Sequence, residues 1–469
     1  MTATIARPES PPLPPVSTPR WAPPTAAIVA FAVALSGSGS STLNGDELAT
    51  LSAARRSIAG MWELAQHIDG HFLPYYLFMH FWVKAGTAEL WLRLPSALAI
   101  GVAAAFLVCV GRRVHSLPAG LAAAALLSVL PSVSYYGAFA RPYAFAAAAV
   151  TISFWALHRA RWVSYAASVA LVGCTHLFAV LVLPAQLALL RSRTRMMVVA
   201  MGAGFVPAAV LGLIGYGERH AISWIPQRGT DVLLKFPKMA AGAEEVGIAL
   251  FAVALAGAFV LIRRDTRWGL AVTGWLLLPP VLLLAVSHLV TPVYVDRYLF
   301  VTAPALALLA AIAVAELPRL AVPAAVALIV GAAALAFPQH LDVRERNGRF
   351  EDIPWAIGRM KLEPGDAIVY GQSSLRTGFD YYATNAMPDD VLRLGNAPAA
   401  DSFGYPERAD VSVALRGRDR VWLVWRGAKG ADLPQHGRVR QAGFALVRAW
   451  HSADIPGLTV ALYTRKDRR

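Results

Sequence analysis

Charge is what this sequence has least of. Only 15% of its 469 residues are Asp, Glu, Lys or Arg, where a soluble domain carries about a quarter. Cysteine is nearly absent as well. Cys109 and Cys174 are the only two, and both fall inside apolar runs, so the sequence offers neither a disulfide framework nor a CxxC metal site. No unit repeats at a fixed short period. Residues 1–24 are rich in Pro, Ser and Thr and lack a cleavable signal-peptide layout. A disordered cytoplasmic tail is expected there.

Apolar residues fill the space that charge leaves. They make up 57% of the chain, and the mean hydropathy is +0.49. At this length and this charge content, that excludes one large soluble core and points to membrane spans. The net charge of +14 and a pI near 10.1 would suit a nucleic-acid partner. Many of the arginines, however, sit in short clusters between apolar runs, as the positive-inside rule expects. The expected partner is therefore membrane lipid and not nucleic acid.

About eleven runs are long and apolar enough to span. They lie near 25–41, 93–110, 117–134, 143–157, 163–175, 176–190, 196–215, 246–262, 269–287, 298–315 and 320–337. The expected fold is a mainly α, polytopic membrane protein with its transmembrane domain over 25–337. Arg112-Arg113, Arg159 and Arg161, the run Arg191, Arg193 and Arg195, and Arg263, Arg264 and Arg267 fall in alternate loops. With Arg7 and Arg20 cytoplasmic, all these clusters lie inside. The 42–90 loop, the turn at Tyr135–Arg141, the Thr175-His176 turn, the 216–245 and 288–297 loops and the C-terminal tail then lie outside. The assignment depends on 163–190: two short helices preserve it, whereas one long helix reverses everything after it.

From 338 to 469 charges, Gly and Pro rise and apolar runs shorten to strand length. Asp366–Tyr370 and Val421–Trp425 read as buried strands, and Phe444–Val447 with Leu458–Tyr463 as a terminal hairpin. A small α/β domain on the outer face is expected. Trp422 and Trp425 read as core, while Tyr381-Tyr382 offers faces either for core packing or for stacking on sugars.

The outer loops carry the chemistry. The stretch SSTLNGDELATLSAARRSI at 40–58 holds Asp46 and Glu47. A carboxylate there can take a proton from an acceptor hydroxyl. The simpler alternative is a helix start, with Asn44 as cap and both acids in the first turn. Residues 47–85 alternate like two helices lying on the membrane, parted by a turn at Asp69-Gly70-His71. Arg93 stands at the edge of a span, where it either snorkels or meets substrate. Arg141, flanked by Tyr135, Tyr136, Phe139 and Tyr143, suits a bidentate phosphate clamp or an aromatic-belt anchor. His176 lies among spans, where an ionisable group is a functional candidate. The 216–245 loop, with Arg219 and Trp224, is basic on the outer side, which favours an anionic ligand. At the mouth of a later span Arg297 can hold phosphate, Asp296 can orient or pair with it, and Tyr298 stands beside them.

In order and sidedness this pattern resembles the GT-C superfamily of polyprenyl-phosphate-sugar glycosyltransferases, whose members include protein O-mannosyltransferases, the lipid A aminoarabinose transferase and bacterial mannosyl and arabinosyl transferases. The resemblance rests on Asp46-Glu47 after the first span, the two membrane-lying helices, RLPSAL at 93–98, ARPY at 140–143 and DRY at 296–298. It also rests on FEDIPWAIGRMKLEPGDAIVY at 350–370, which looks like the start of the outer domain in the bacterial branch. It implies a GT-C fold in a bacterial plasma membrane, with the active site outside. It further implies Asp46 as the catalytic base, Glu47 as a secondary carboxylate, and Arg141 and Arg297, with Tyr143, at the lipid phosphate. His71, Arg93, His176, Arg219, Trp224, Asp296 and Tyr298 become candidate substrate contacts. The implied reaction is inverting: it moves a sugar, with mannose the leading choice, from a polyprenyl-phosphate donor to a glycolipid or glycan acceptor. Some relatives use a divalent cation such as Mg or Mn; with no metal carboxylate beyond Glu47, none is expected to be obligatory. The lack of a nucleotide-phosphate loop agrees with a lipid-linked donor. The lack of a tetratricopeptide region and of a sequon-handling motif leaves the acceptor free to be something other than protein.

Two other classes compete. A transporter or flippase of lipid-linked sugars would place charges at mid-membrane and break helices in paired halves, but here the spans are nearly free of charge. A non-catalytic scaffold would have no use for Asp46.

Overall fold

The computed structural model describes residues 19–190, 194–344, 353–384, 386–429, 433–452 and 457–466. Most of the tail at 1–24, Arg191 and Arg193, and the start of the 350–370 stretch lie outside the described residues. Six described helices are long and apolar enough to cross a membrane: Glu89–Val114, Thr194–Gly217, Glu244–Arg264, Thr266–Leu289, Asp296–Ala315 and Ala321–Leu341. Five shorter apolar segments join them: Ala22–Leu35, Leu117–Val129, Tyr143–His158, Trp162–Thr175 and Leu177–Leu189. Each falls on an expected span, and the chain is a mainly helical, multi-pass membrane protein.

The stretch at 163–190, on which the sidedness turns, makes two passes. The helix ends at Thr175, and His176 is extended (φ −157°, ψ 119°). A tight 3-10 segment, Leu177–Val182, then turns the chain back. Leu189 returns beside Trp162, where the pair line one cavity with Leu157 and Trp268. The later loops therefore remain on the face that carries Asp46.

The first loop, expected as two helices, holds three and a short 3-10 turn. Gly45–Ala54 and Ile58–Leu64 are separate because Arg55 and Arg56 end the first and Ser57 caps the second, its hydroxyl accepting from Gly60 N at 3.1 Å. A left-handed Asp69 (φ 56°) leads into Gly70–Phe72 and then Leu73–Trp82. Gly70 is required at this turn, because a Cβ would lie 2.3 Å from the Ala65 carbonyl. These helices are roofed by the C-terminal sheet, not left on a bare membrane surface. Leu48, Leu51, Met61 and Phe72 share one apolar core with Ile353, Phe379, Tyr370 and Trp422.

The sheet has strands β1 (Ala367–Tyr370), β2 (Asp389–Asp390), β3 (Arg420–Arg426), β4 (Phe444–His451) and β5 (Leu458–Arg465), in the order β2-β1-β3-β5-β4. β1 pairs in parallel with β2 and β3, whereas β3–β5 and β5–β4 are antiparallel. The expected strands and hairpin are present; the two-residue β2 is too short to leave a pattern in sequence. Trp422 and Trp425 are core, and the Trp422 indole donates to Asp366 Oδ2 at 2.8 Å. Tyr381 and Tyr382 serve as clamps. Tyr381 donates to Thr87 O at 2.7 Å, and Tyr382 donates to Glu89 Oε1 at 3.0 Å while accepting from Leu43 N at 2.7 Å. The last apolar helix runs on to Arg344, so the polar onset at 338 lies within it.

One buried ion pair organises the first loop. Arg93 is fully buried and donates to both Glu47 oxygens, each at 2.7 Å. Its remaining N–H groups reach the carbonyls of Ser38, Ser41 and Thr42. Glu47 also accepts from Asn44 N at 3.1 Å, closing a capping box, and from Ala140 N at 3.0 Å. Neither side chain has capacity left for substrate. This corrects the expectations of Glu47 as a second catalytic carboxylate and of Arg93 as a substrate contact.

Removing one partner strands a buried charge and costs about 3–5 kcal/mol, whereas replacing both is far milder. Arg93→Met is therefore expected to lower the thermal unfolding midpoint of the detergent-solubilised protein sharply, with much of the loss recovered in Glu47→Gln/Arg93→Met. Equal loss in single and double variants would contradict the pairing.

Candidate active site

Asp46 and Glu47 are neighbours on one helix, about 100° apart around its axis. With Glu47 fixed inward, Asp46 faces away from it, into a cavity of about 400 Å³ between the helical bundle and the sheet. Its side chain is 33% exposed, to that cavity. The turn bearing Arg141 is fastened to the same helix. Glu47 holds Ala140 N and Thr50 Oγ1 donates to Ala140 O at 3.0 Å, while Ser96 Oγ, from the Glu89–Val114 helix, donates to Phe139 O at 2.6 Å. Arg297 comes from the 3-10 segment Asp296–Thr302 at the mouth of a span, which the Trp275 indole anchors by donating to Val301 O at 2.9 Å.

The two arginines converge on Asp46. Arg141 Nη2 is 3.5 Å from Oδ1, and Arg297 Nη1 is 3.8 Å from Oδ2. Both contacts are long. Arg141 is held more tightly elsewhere: Nη1 donates to the Tyr76 hydroxyl at 2.7 Å and to Asp69 Oδ2 at 3.3 Å, and its guanidinium stacks 5.0 Å from the Phe72 ring centroid. Tyr76 in turn donates to Asp69 Oδ2 at 2.7 Å. Arg297 lies between the Trp224 and Tyr298 rings, 5.7 and 5.9 Å from their centroids. The Nε atoms of both arginines are buried with no acceptor among the described residues. Buried guanidinium donors that lack an acceptor are suited to an anion.

Burial works to raise the Asp46 pKa, but Arg141 and Arg297 more than offset it, and the group titrates below the ordinary aspartate value of 3.8. Asp46 is therefore an ionised carboxylate at neutral pH. The sheet closes the cavity with Ser374, Thr377, Phe403 and Arg426; Arg426 also acts to lower the Asp46 pKa.

Two side chambers adjoin this cavity. One, of about 260 Å³, shares Asp46, Tyr135, Trp224 and Arg297 with it and adds Tyr136, Tyr294, Arg228 and Asp296. The other, of about 220 Å³, shares Asp69, His71 and Tyr298 and is walled by Leu177, Phe178, Val286 and Val290. Asp46 thus stands between a polar chamber and the main cavity, and an apolar chamber opens from the far side.

Of the residues singled out from sequence, Asp46, His71, Arg141, Tyr143, Trp224, Arg297 and Tyr298 line the main cavity. Asp296 lines the polar chamber and Arg219 the apolar one, and neither lines the main cavity. Arg219 donates to Tyr216 O at 3.1 Å and lies over the Tyr216 ring. His176 is buried behind the wall, among Phe72, Tyr143, Phe178 and Tyr298. It is a packing residue, not a substrate contact. Sequence reasoning took Asp69 for a turn residue and passed over Tyr76 and Arg426. No local spacing signals the pair, because Asp69 is a left-handed residue before the 3-10 turn, outside the Leu73–Trp82 helix that carries Tyr76. Among the described residues no three His, Cys, Asp or Glu side chains gather as a metal cluster. The two cavity carboxylates, Asp46 and Asp69, both face the Arg141 guanidinium.

No family model matches the chain, and no curated protein matches it. Solved structures do. ArnT from Cupriavidus metallidurans in the apo state aligns with a TM-score of 0.57 at 14% identity, over 93% of this chain and 96% of ArnT. The same protein bound to undecaprenyl phosphate gives 0.58 at 14% identity, over 93% and 97%. An oligosaccharyltransferase from Archaeoglobus fulgidus, at 0.47 and 12% identity over 85% of this chain and 67% of its own, is too distant to argue from. At this identity the likeness speaks for the fold: the chain has the ArnT-like GT-C fold over nearly its whole length.

Proposed function

We propose that this protein is an inverting membrane glycosyltransferase. In this reading it transfers a sugar, mannose being the leading choice, from a polyprenyl-phosphate donor to a hydroxyl of a cell-envelope glycolipid or lipoglycan. The observation that carries the reading is the placement of Asp46: an ionised carboxylate flanked by two arginines with unused buried donors, where a polar chamber meets the main cavity. The solved complex of ArnT with undecaprenyl phosphate supports the choice of donor. We place the protein in the bacterial plasma membrane with this cavity on the extracytoplasmic side, because the arginine clusters lie at the other ends of the spans.

In the proposed step Asp46 takes the proton of the acceptor hydroxyl. The acceptor oxygen bonds to the anomeric carbon from the face opposite the phosphate. The bond from that carbon to the phosphate oxygen breaks, and its electron pair leaves with the polyprenyl phosphate. Arg141 and Arg297 stabilise the charge that grows on the phosphate. The phosphate leaves ionised, so no general acid is needed, and no step passes through a metal.

A pH signature follows from the shared arginines. In the empty site they hold Asp46 below the usual aspartate range. A bound donor phosphate engages the same guanidinium groups and weakens their hold, so Asp46 becomes more basic when the donor is present. The acid limb of kcat, which reports the loaded enzyme, is expected at higher pH than the limb of kcat/KM for the donor, which reports the free enzyme. In Arg141→Gln both limbs move up. Coincident limbs would remove the arginines from the phosphate site.

The deciding assay is transfer of radiolabelled mannose from polyprenyl-phosphate mannose in proteoliposomes, comparing wild type with Asp46→Asn. Removal of a general base is expected to cost about 10²–10⁴ in rate, while donor binding persists. Transfer in wild type that resists EDTA agrees with a mechanism without metal; loss on chelation restored by Mg or Mn would overturn that part. Transfer unchanged in Asp46→Asn would overturn the mechanism. Lipid-linked sugar crossing the bilayer without transfer would favour a flippase.

A further inference from the structure

A further cavity lies at the other end of the bundle. It measures about 670 Å³ and is bounded by Arg113, His158, Trp162, Asp265, Arg267 and Trp268. These residues sit at the ends of the Glu89–Val114, Tyr143–His158 and Thr266–Leu289 helices that are farthest from Arg93, Tyr143 and Val290. The cavity therefore opens on the membrane face opposite Asp46. Its apolar wall is formed by Leu157, Leu189 and Met197.

The positive-inside bias accounts for arginines on this face, but it asks only that they meet water. Here their placement is more specific. Arg113 Nε donates to His158 Nδ1 at 3.0 Å, and its guanidinium lies 5.8 Å from the Trp268 ring centroid. That contact fixes the guanidinium plane at the cavity edge. It also makes Nδ1 the acceptor, so the neutral His158 ring carries its proton on Nε2 as a further donor. Asp265 is occupied in capping the next helix, accepting from Trp268 N at 3.2 Å. No ion pair among the described residues engages Arg113 or Arg267. The result is an amphipathic cavity with two arginines, a histidine and the capping aspartate at a net positive rim, a tryptophan on each side and an apolar wall beneath. A basic pocket between spans is the arrangement that holds an anionic lipid headgroup.

We propose that this cavity is a binding site for an anionic glycerophospholipid of the leaflet opposite the Asp46 cavity. Arg113 and Arg267 grip the phosphate, His158 adds a donor, and the start of the acyl chains lies along Leu189 and Met197. The site is separate from the glycosyl-transfer cavity and stands whether or not that reaction is confirmed.

The test is native mass spectrometry of the purified full chain in detergent, titrated with phosphatidylglycerol, phosphatidylcholine or inorganic phosphate. Wild type is expected to retain phosphatidylglycerol in preference to phosphatidylcholine. Arg113→Gln/Arg267→Gln is expected to weaken that retention about tenfold or more, the scale of two lost charge-assisted hydrogen bonds. Arg263→Gln/Arg264→Gln removes the same charge from the same face outside the cavity and is expected to change retention less than about twofold. Equal loss in both double variants would mean diffuse surface charge and overturn the site. So would equal retention of the two lipids. Displacement of the lipid by millimolar inorganic phosphate in wild type alone would assign the cavity to a free phosphate and overturn the lipid. If the double variant melts at a lower temperature than wild type, Arg267→Gln alone, at an exposed position, replaces it with the same expected direction.

Discussion

The buried contact between Arg93 and Glu47 is the constraint on which the rest of this site depends. Two charges taken out of water return their desolvation cost only when every donor and acceptor is matched, and here they are. Arg93 ties the Glu89–Val114 span to the carbonyls of Ser38, Ser41 and Thr42, and so fixes how the chain leaves the first span. Glu47 caps its own helix through Asn44 and reaches across to Ala140. A single carboxylate thereby sets the helix that aims Asp46 and the turn that aims Arg141. Their separation is a consequence of a buried network rather than of their own weak mutual contact.

The second constraint is the sheet. The helical bundle alone would leave the first-loop helices without a cover for their outer apolar faces. Here the apolar faces of Gly45–Ala54 and Leu73–Trp82 share a core with Ile353, Tyr370, Phe379 and Trp422. Arg56 donates to the carbonyls of Ala399 and Ser402, and Ser52 to that of Phe403. The loop is therefore packed on two sides, which suits the proposed reaction, where a carboxylate is held within hydrogen-bonding reach of a hydroxyl.

Much of this could be read from sequence because hydrophobic length is a one-dimensional signal. Spans and buried strands declare themselves over ten or twenty residues, whereas 163–190 allows either two short helices or one long one, and it is the structure that shows the break at His176. The cavity was readable at Asp46, Arg141 and Arg297 because each stands at the mouth of an apolar run. What was hidden depends on partners remote in the chain. Asp46 and Glu47 invite two readings, base or helix start, and the structure divides them: Glu47 takes the capping role and Asp46 keeps the open face. Arg93 resembles a snorkelling edge residue until its acceptors, about fifty positions earlier, are seen. Asp69 gains its environment from Arg141, 72 positions on, and no local pattern announces that.

The two aspartates also show why only one of them suits the proposed chemistry. Asp69 accepts from the Tyr76 hydroxyl at 2.7 Å and from both terminal nitrogens of Arg141, at 3.3 and 3.4 Å. A proton arriving there would break contacts already made. Asp46 has only long contacts, at 3.5 and 3.8 Å, and faces two chambers. Its charge is maintained by nearby guanidinium groups without its lone pairs being consumed, so it stays ionised and still has room for a hydroxyl. On the proposed reaction Asp69 and Tyr76 hold the Arg141 guanidinium in one orientation, so that its stabilising charge is in place before the phosphate departs. On the proposed reaction, hydrogen-bond saturation divides the two within a single cavity, with Asp46 as the base and Asp69 as the anchor.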